Sequence, residues 1–394
     1  MNESPPASRW VISAHPGIKA VAAAEWDAVV GPDGSPFQQH AFLAALETAR
    51  CVGDDTGWSP VALTVRAGSE PGAPLIGAAA AYIKGHSMGE FVYDWAWADA
   101  AQRMGVPYYP KLIIAAPFSP VSGKRLHVAQ SVAVGQQDLV RSALLEAALQ
   151  VATDVGGHGV HMLFCDEADK RVAASLGFAH RLGIQYQWRN EGYRDFDDFL
   201  ARFTSKRRNQ IRRERRRVQE AGFTVQSYQG DTVHDDFLDP AFQFYCATVD
   251  QFAWGRRYLN RQFFELLWAD MRPSLQLALA HRESRVVAGT LNLQDKTRRY
   301  GRYWGTERDA DGLHFEVCSY HAIEDCITHG IQVFEAGAGG GSHKFGRGFL
   351  PAQTHSMHRL FEPRLHRPIA RYCEEEAEQL MAQITEAEGK VFVR

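Results

Sequence analysis

Apolar residues at spacings of one, three and four, Phe42, Leu43 and Leu46, predict a helix over residues 37–49. The pattern then shortens to apolar or aromatic runs at 60–66, 75–83, 90–97 and 112–116, separated by Gly, Pro and Ser, which predicts four strands. A helical period returns over 136–155, carried by Leu139, Ala143, Leu144, Ala147, Val151 and Val155. An apolar strand at 160–165, a helix over 169–177 and a strand at 184–189 close a first unit near residue 190.

The second half repeats this plan. A helical stretch at 196–222 leads to a strand at 223–228, two aromatic-rich helices at 240–252 and 261–271, and strands at 275–281, 286–294 and 299–305. A helix at 313–329 and a strand at 331–336 complete it. The reading is an α/β protein of two related units, residues 1–190 and 191–394, the second including the helix 203–220.

Composition agrees with a soluble globular chain. Of 394 residues 45% are hydrophobic and 23% charged, and 43 Lys and Arg against 46 Asp and Glu leave a net charge of −3. Bulk charge points to neither nucleic acid nor membrane, so any basic site is local. Six scattered Cys form no C-x-x-C pair, which argues for a reducing, cytoplasmic setting and against a disulfide framework or a zinc ribbon. The first 17 residues show no signal-peptide pattern, and the apolar run 75–83 is far short of a membrane span. His314, His321 and His329 share a predicted helix without a metal-ligand spacing, so no metal is expected.

Three motifs carry candidate chemistry. Gly85-His86-Ser87-Met88-Gly89 matches the G-x-S-x-G nucleophile elbow, but residues 90–97 read as a strand where the elbow needs a helix. A structural loop, a substrate contact by His86 or Glu90, and a serine hydrolase using Ser87 all stay open. From Lys206 to Arg217, eight of twelve residues are basic against one acid, Glu214. Lys206, Arg207, Arg208, Arg212 and Arg213 are therefore candidates for phosphate contact, with a solvated helix face as the alternative. The glycine-rich run 337–348 is no P-loop, yet it carries His343, Lys344 and Arg347 among backbone N–H groups that can face an anion. Arg302 and Tyr303, which end a strand, and His314 and Glu316, which open the next helix, lie at the kind of junction that binds ligands in α/β units. Lys84, Tyr109 and Lys111 play a similar part in the first unit. Cys318 is read as a packing residue.

The stretches 82–95 (YIKGHSMGEFVYDW), 108–112 (YYPKL), 117–123 (PFSPVSG), 190–200 (NEGYRDFDDFL), 301–305 (GRYWG), 313–318 (LHFEVC) and the loop 337–351 resemble the FemAB-like family named for peptidoglycan biosynthesis or recognition. The resemblance runs from about residue 37 to about residue 375. It implies two tandem GNAT-like domains, each a mixed, mostly antiparallel sheet flanked by helices. It also implies transfer of an acyl or aminoacyl group from an activated carrier, aminoacyl-tRNA or an acyl thioester, to the amine of a small molecule or peptide. No tightly bound cofactor is implied, and tRNA is a partner for the basic helix. The segment Lys206-Arg207-Arg208-Asn209-Gln210-Ile211 is similar to the family's K-x-R-x-x-I helix, and Lys344 to a lysine that stabilises the transferring carbonyl. His343-Lys344-Phe345 departs from the family's Phe-Lys, and 305–315 lacks the [QR]-x-x-G-x-[GA] loop that holds a CoA pyrophosphate. The chemistry then assigns oxyanion stabilisation to Lys344 and proton acceptance to Glu316 or His314. The alternative is a non-catalytic module that recognises peptidoglycan precursor or RNA.

Overall fold

The computed structural model describes residues 10–251, 255–307, 310–337 and 341–388. The first nine residues, Phe252 at the end of a predicted helix, residues 308–309 and residues 338–340 of the glycine run lie outside the described residues.

Along the chain come β1 (Val11–His15), α1 (Ala23–Val30), α2 (His40–Thr48), β2 (Trp58–Arg66), β3 (Leu75–Lys84), α3 (Trp95–Arg103), β4 (Lys111–Ile114), β5 (His127–Val128), α4 (Val134–Asp154), β6 (Gly159–Cys165), α5 (Glu167–Ser175) and β7 (Ala179–Arg189). The second half holds α6 (Phe196–Ala201), α7 (Ser205–Glu220), β8 (Phe223–Gln229), α8 (Leu238–Asp250), α9 (Arg261–Asp270), β9 (Leu275–Arg282), β10 (Arg285–Gln294) and β11 (Arg298–Thr306). It continues with α10 (Leu313–Phe315), a π-helical turn (Glu316–Tyr320), α11 (His321–Thr328), β12 (Val333–Glu335), α12 (Ser342–Phe345), β13 (Leu350–Leu360) and α13 (Pro363–Glu388).

Two compact units result, 1–183 with 354–380, and 184–353 with 381–394. The division falls at residue 183 where the sequence pattern placed it near 190, because β7 runs through as one strand and its second half pairs with β12. Residues 354–380 return to the first unit, since Leu360, Leu365, Ile369 and Cys373 share an apolar cluster with Trp97, Ala101 and Tyr108.

Each unit has the same strand plan. In the first, β1, β2, β3 and β4 are antiparallel neighbours, β4 runs parallel to β6, and β13 returns antiparallel to β6. In the second, β8, β9, β10 and β11 are antiparallel, β11 runs parallel to β12, and the second half of β7 returns antiparallel to β12. In each unit the strand pairing is mixed and mostly antiparallel.

The core of the second unit explains why its basic helix is held in place. Ile211 of α7 is buried with Phe199, Phe203, Tyr320, Phe334 and Phe349, so the apolar stripe of α7 faces inward while Arg212, Arg213, Arg216 and Arg217 face out. Thr204 caps the helix, its side chain accepting from the N–H of Arg207.

One predicted strand is absent. Residues 90–94 form a bend and α3 begins at Trp95, after Gly89 and Phe91 take positive φ of 81° and 60°. The alternating aromatics pack around a loop and a helix rather than along a strand.

Candidate active site

The second unit opens a cleft where β11 and β12 part. Their parallel ladder lasts three pairs, from Arg298 and Val333 to Tyr300 and Glu335. Just beyond, the two chains touch at glycines: a Cβ on Gly301 would stand 3.1 Å from the Glu335 oxygen, and one on Gly337, whose φ is +76°, 3.0 Å from the Gly301 oxygen. A side chain at Gly301 would push its neighbour back by a few tenths of an ångström, and one at Gly337 would also be strained by the positive φ. One residue further, β11 carries a bulge, for Leu291 faces Tyr303 while Asn292 faces Gly301, making Arg302 the inserted residue. A bulge re-aims side chains, and here Arg302 and Tyr303 both line the cleft. The open space is about 650 Å³.

The π turn forms another wall. Its wider turn sets Val317, Cys318 and Ser319 toward the cleft. Cys318 is therefore a half-exposed wall residue rather than mere packing, and burial of its sulfur pushes the thiol pKa up, so it stays protonated. Asn292 backs the floor. Its amide donates to Gln276 Oε1 at 2.5 Å and Thr290 Oγ1 at 3.1 Å, fixing its orientation.

Lys344 lines the cleft from α12, and its Nζ donates to the Gly337 carbonyl at 2.8 Å. Burial lowers its pKa to about 8. At neutral pH the ammonium remains charged and thinly solvated. His314 and His343 are exposed at the mouth, their rings 6.5 Å apart, and His314 meets Trp304 edge to face at 5.2 Å. The pKa of His343 is lowered by burial, Lys344 and Arg347 together. The structure thus brings together Lys344, His314, His343, Arg302 and Tyr303.

Glu316 is not among them. It is buried and accepts from Arg215 through both oxygens, Nε at 3.1 Å and Nη2 at 3.0 Å, while Arg215 also reaches Glu324 at 2.6 Å. Burial raises its pKa against the opposing Arg215 charge. A carboxylate held this way is an ion-pair anchor for α7.

Arg347 is likewise turned from ligand contact. It stacks 3.3 Å from the Phe315 ring centre, pairs with Glu214 at 3.0 Å and donates to the His343 carbonyl at 2.8 Å. Glu214 accepts from Gln210 at 2.8 Å, and Gln210 from Arg207 at 3.1 Å. This chain of hydrogen bonds joins α7 to the loop bearing Lys344, and Arg347 positions that loop.

The basic residues of α7 divide in the same way. Arg212 pairs with Asp197 at 2.8 Å, and Arg208 donates to Ser205 at 3.3 Å. The Arg207 guanidinium lies over Gly346, where a Cβ would stand 3.2 Å away. Lys206 and Arg213 are exposed and, among the described residues, make no ion pair.

The first unit gathers Lys84, His86, Ser87, Glu90, Tyr109 and Lys111 in a different setting. Lys111 is 1% exposed and donates to Ser87 Oγ and Glu90 at 2.9 Å each, and also to Asp94. Tyr108 donates to Asp94 at 2.6 Å, and Ser87 Oγ lies 2.7 Å from the Tyr109 hydroxyl. Lys84 stands 3.7 Å over the Trp58 ring and donates to the Met88 carbonyl at 2.9 Å; burial lowers its pKa to about 7 and raises that of Glu90 to about 7. His86 is tied to the Thr56 carbonyl at 3.0 Å. Burial works against the Lys111 charge, but Glu90 and Asp94 outweigh it and hold its pKa above the usual value. A lysine that keeps its proton cannot accept one from Ser87, and no helix begins directly at Gly89, so the nucleophile-elbow reading fails. These residues form a buried ion cluster holding the 85–94 loop. Asp94, its missing member, was hidden by reading 90–97 as a strand.

The first unit also has a parallel pair that ends, at Ile114 and Met162. Just past it Arg125 is buried, donating from Nε to the Leu163 carbonyl at 2.8 Å and from Nη2 to the Val121 carbonyl.

A parallel pair that ends within a mostly antiparallel set of strands, present in each unit, defines a tandem GNAT-like fold. A family model described as peptidoglycan biosynthesis/recognition matches residues 17–394, and the chain belongs to that FemAB-like family. Among solved structures, FemX is 12% identical, with 89% of this chain and 98% of that one covered at a TM-score of 0.54. L-PGS from Bacillus licheniformis is also 12% identical, over 84% and 95% of the two chains, with a TM-score of 0.46. A tandem GNAT protein from the clavulanic acid biosynthesis pathway is 11% identical, over 90% and 99%, with a TM-score of 0.46. No curated protein matches. Among the described residues no helix is long and apolar enough to cross a membrane, and no group of three His, Cys, Asp or Glu side chains could hold a metal ion.

Proposed function

We propose that the second unit transfers an acyl or aminoacyl group from an activated ester or thioester carrier to an amine. The observation that carries this reading is the Lys344 ammonium, held by Gly337 in the cleft where β11 and β12 part. The amine nitrogen attacks the donor carbonyl, a C–N bond forms, and the carrier leaves as the C–O or C–S bond breaks. Lys344 faces the oxyanion of the intermediate, and such a donor contributes roughly 3–4 kcal/mol. His314, exposed at the mouth, takes the proton lost by the amine and returns it to the leaving group. Lys206, Arg207 and Arg213 extend the positive surface along α7 for the phosphates of a carrier, whether an acyl thioester or aminoacyl-tRNA. Family membership supports a peptidoglycan-related peptide amine as acceptor and a cytoplasmic place of action.

The test is incubation of the full chain with a panel of acyl thioesters and aminoacyl-tRNAs and a muramyl pentapeptide or small amines, with mass spectrometry of the products. An amide product dependent on the protein is expected. Saturable binding of the precursor without turnover of any donor would replace the reading with a recognition module.

A further inference from the structure

One buried side chain on the cleft floor has its orientation fixed by its neighbours. Asn292 of β10 lines the cleft and is 2% exposed. Across the strands it stands between Gln276 of β9 and Gly301 of β11, and Thr290 precedes it on the same face. The Leu277 carbonyl can only accept, so the Gln276 atom facing it at 3.1 Å is Nε2, which leaves Gln276 Oε1 for Asn292. Asn292 Nδ2 donates to that oxygen at 2.5 Å and gives its second hydrogen to Thr290 Oγ1 at 3.1 Å.

Both amide hydrogens are thus committed. The planar amide turns its other branch, Oδ1, away from β9 toward Gly301, which brings no side chain and also lines the cleft. Among the described residues no group donates to that oxygen. A buried carbonyl is costly unless it accepts a hydrogen bond, so this one is built for a donor that arrives with the ligand.

We propose that Asn292 holds the attacking nitrogen, its Oδ1 accepting one N–H of a neutral amine, so that the acceptor is a primary amine rather than a secondary amine or an alcohol. The inference rests on the transferase reading and deepens it. As the C–N bond forms and the C–O or C–S bond to the carrier breaks, one N–H proton leaves with the carrier. The other stays on the product amide, hydrogen-bonded to Asn292 throughout. A secondary amine or an alcohol has a single such hydrogen, which the reaction itself removes. The α-ammonium of an aminoacyl donor also carries N–H, but Lys344, charged at neutral pH, lines the same cleft and opposes a second cation there. Gln276 and Thr290 act through Asn292 and are positioning residues.

The test uses the full chain and probes that stay neutral at pH 7: O-propylhydroxylamine and its N-methyl and N,N-dimethyl forms, which carry two, one and no N–H. Alaninamide supplies the ammonium arm. Ligand-observed NMR titration should give O-propylhydroxylamine a Kd about fivefold below the N,N-dimethyl form, the yield of one neutral hydrogen bond. Asn292→Leu should abolish that preference, and Asn292→Asp, which keeps an acceptor oxygen, should retain it. Gln276→Leu, which frees the amide to turn over, should reduce the preference and leave the N,N-dimethyl affinity within about twofold, whereas a merely structural role would lower both alike. Equal affinities in the parent, or a preference unchanged in Asn292→Leu, would overturn the inference while leaving acyl transfer intact. So would binding of none of the probes, or tightest binding of alaninamide lost in Asn292→Leu, which would reassign the carbonyl to a donor's ammonium. Absence of any amide product in the transfer assay would fall instead on the transferase reading.

Discussion

Replacing Lys344 with Ala separates a catalytic ammonium from a structural one. The side chain makes a hydrogen bond of 2.8 Å to Gly337, worth about 1 kcal/mol in a folded protein. Against that stands the burial of its charge. Moving an ammonium from 10.5 to about 8 corresponds to at most about 3.4 kcal/mol against the charged form, and partial solvent access at Lys344 reduces this to about 1–2 kcal/mol. Lys344→Ala should therefore be as stable as the parent at pH 7, or more stable by up to about 1 kcal/mol. The pH dependence has a definite sign. Between about pH 8 and 10.5 the unfolded chain holds a proton on this lysine that the folded chain has lost, so the parent gains stability relative to the variant as pH rises through that window. Urea denaturation at pH 7 and pH 10 measures both quantities. Loss of more than about 2 kcal/mol at pH 7 would make Lys344 a structural residue and refute the reasoning.

The same variant should lose about two to three orders of magnitude in kcat with KM little changed, because the contact forms mainly in the transition state. Turnover by the parent should fall as pH passes about 8 and the ammonium deprotonates. Lys344→Arg, charged throughout, should recover part of kcat and lack that basic limb. A limb unchanged in Lys344→Arg would assign the titration elsewhere.

Other outcomes rest on the placement of the remaining charges. Glu316→Gln should destabilise the chain by roughly 3 kcal/mol, the low end for breaking a buried pair, while the pH profile of turnover keeps its shape; a profile that loses its acidic limb would return Glu316 to the chemistry. Replacing Lys206, Arg207 and Arg213 together with Gln should weaken carrier binding and flatten its salt dependence, whereas Arg212→Gln should leave binding unchanged because Asp197 already occupies that guanidinium; equal effects would contradict the division. Lys111→Met should destabilise the first unit by roughly 3–5 kcal/mol, since Asp94 would stay buried without its cation and Glu90 would keep only Lys84 at 3.9 Å. A fluorophosphonate should leave Ser87 unlabelled, and labelling there would restore the hydrolase reading.

Where hydrophobic period and burial coincide, the elements were legible. The helix pattern at 136–155 is α4, and the apolar run at 160–165 is β6, buried at every position. β13 was not legible, because Thr354, His355, Ser356 and His358 are polar residues buried in a strand and break the apolar alternation. α13 was hidden by Pro368 inside a helix whose buried face is Leu365, Ile369 and Cys373. Within the site, Lys344, His314, His343, Arg302 and Tyr303 were visible because charged or aromatic residues stand beside glycines or at a strand end. Glu316 was misplaced for a geometric reason: the helix enters a π turn at that residue, and a period of 3.6 does not say which wall it faces. Cys318, Asn292 and Thr290 had no distinctive spacing, and only the bulge and the π turn give them a place in the cleft.

Photo-crosslinking locates the acyl group most directly. A thioester whose acyl chain bears a diazirine, irradiated with the full chain and mapped by peptide mass spectrometry, should label residues 301–305, 313–322 or 341–345, and an unlabelled acyl thioester in excess should compete. Label placed instead at residues 84–94 or 108–111 would contradict the assignment of acyl transfer to the second unit's cleft.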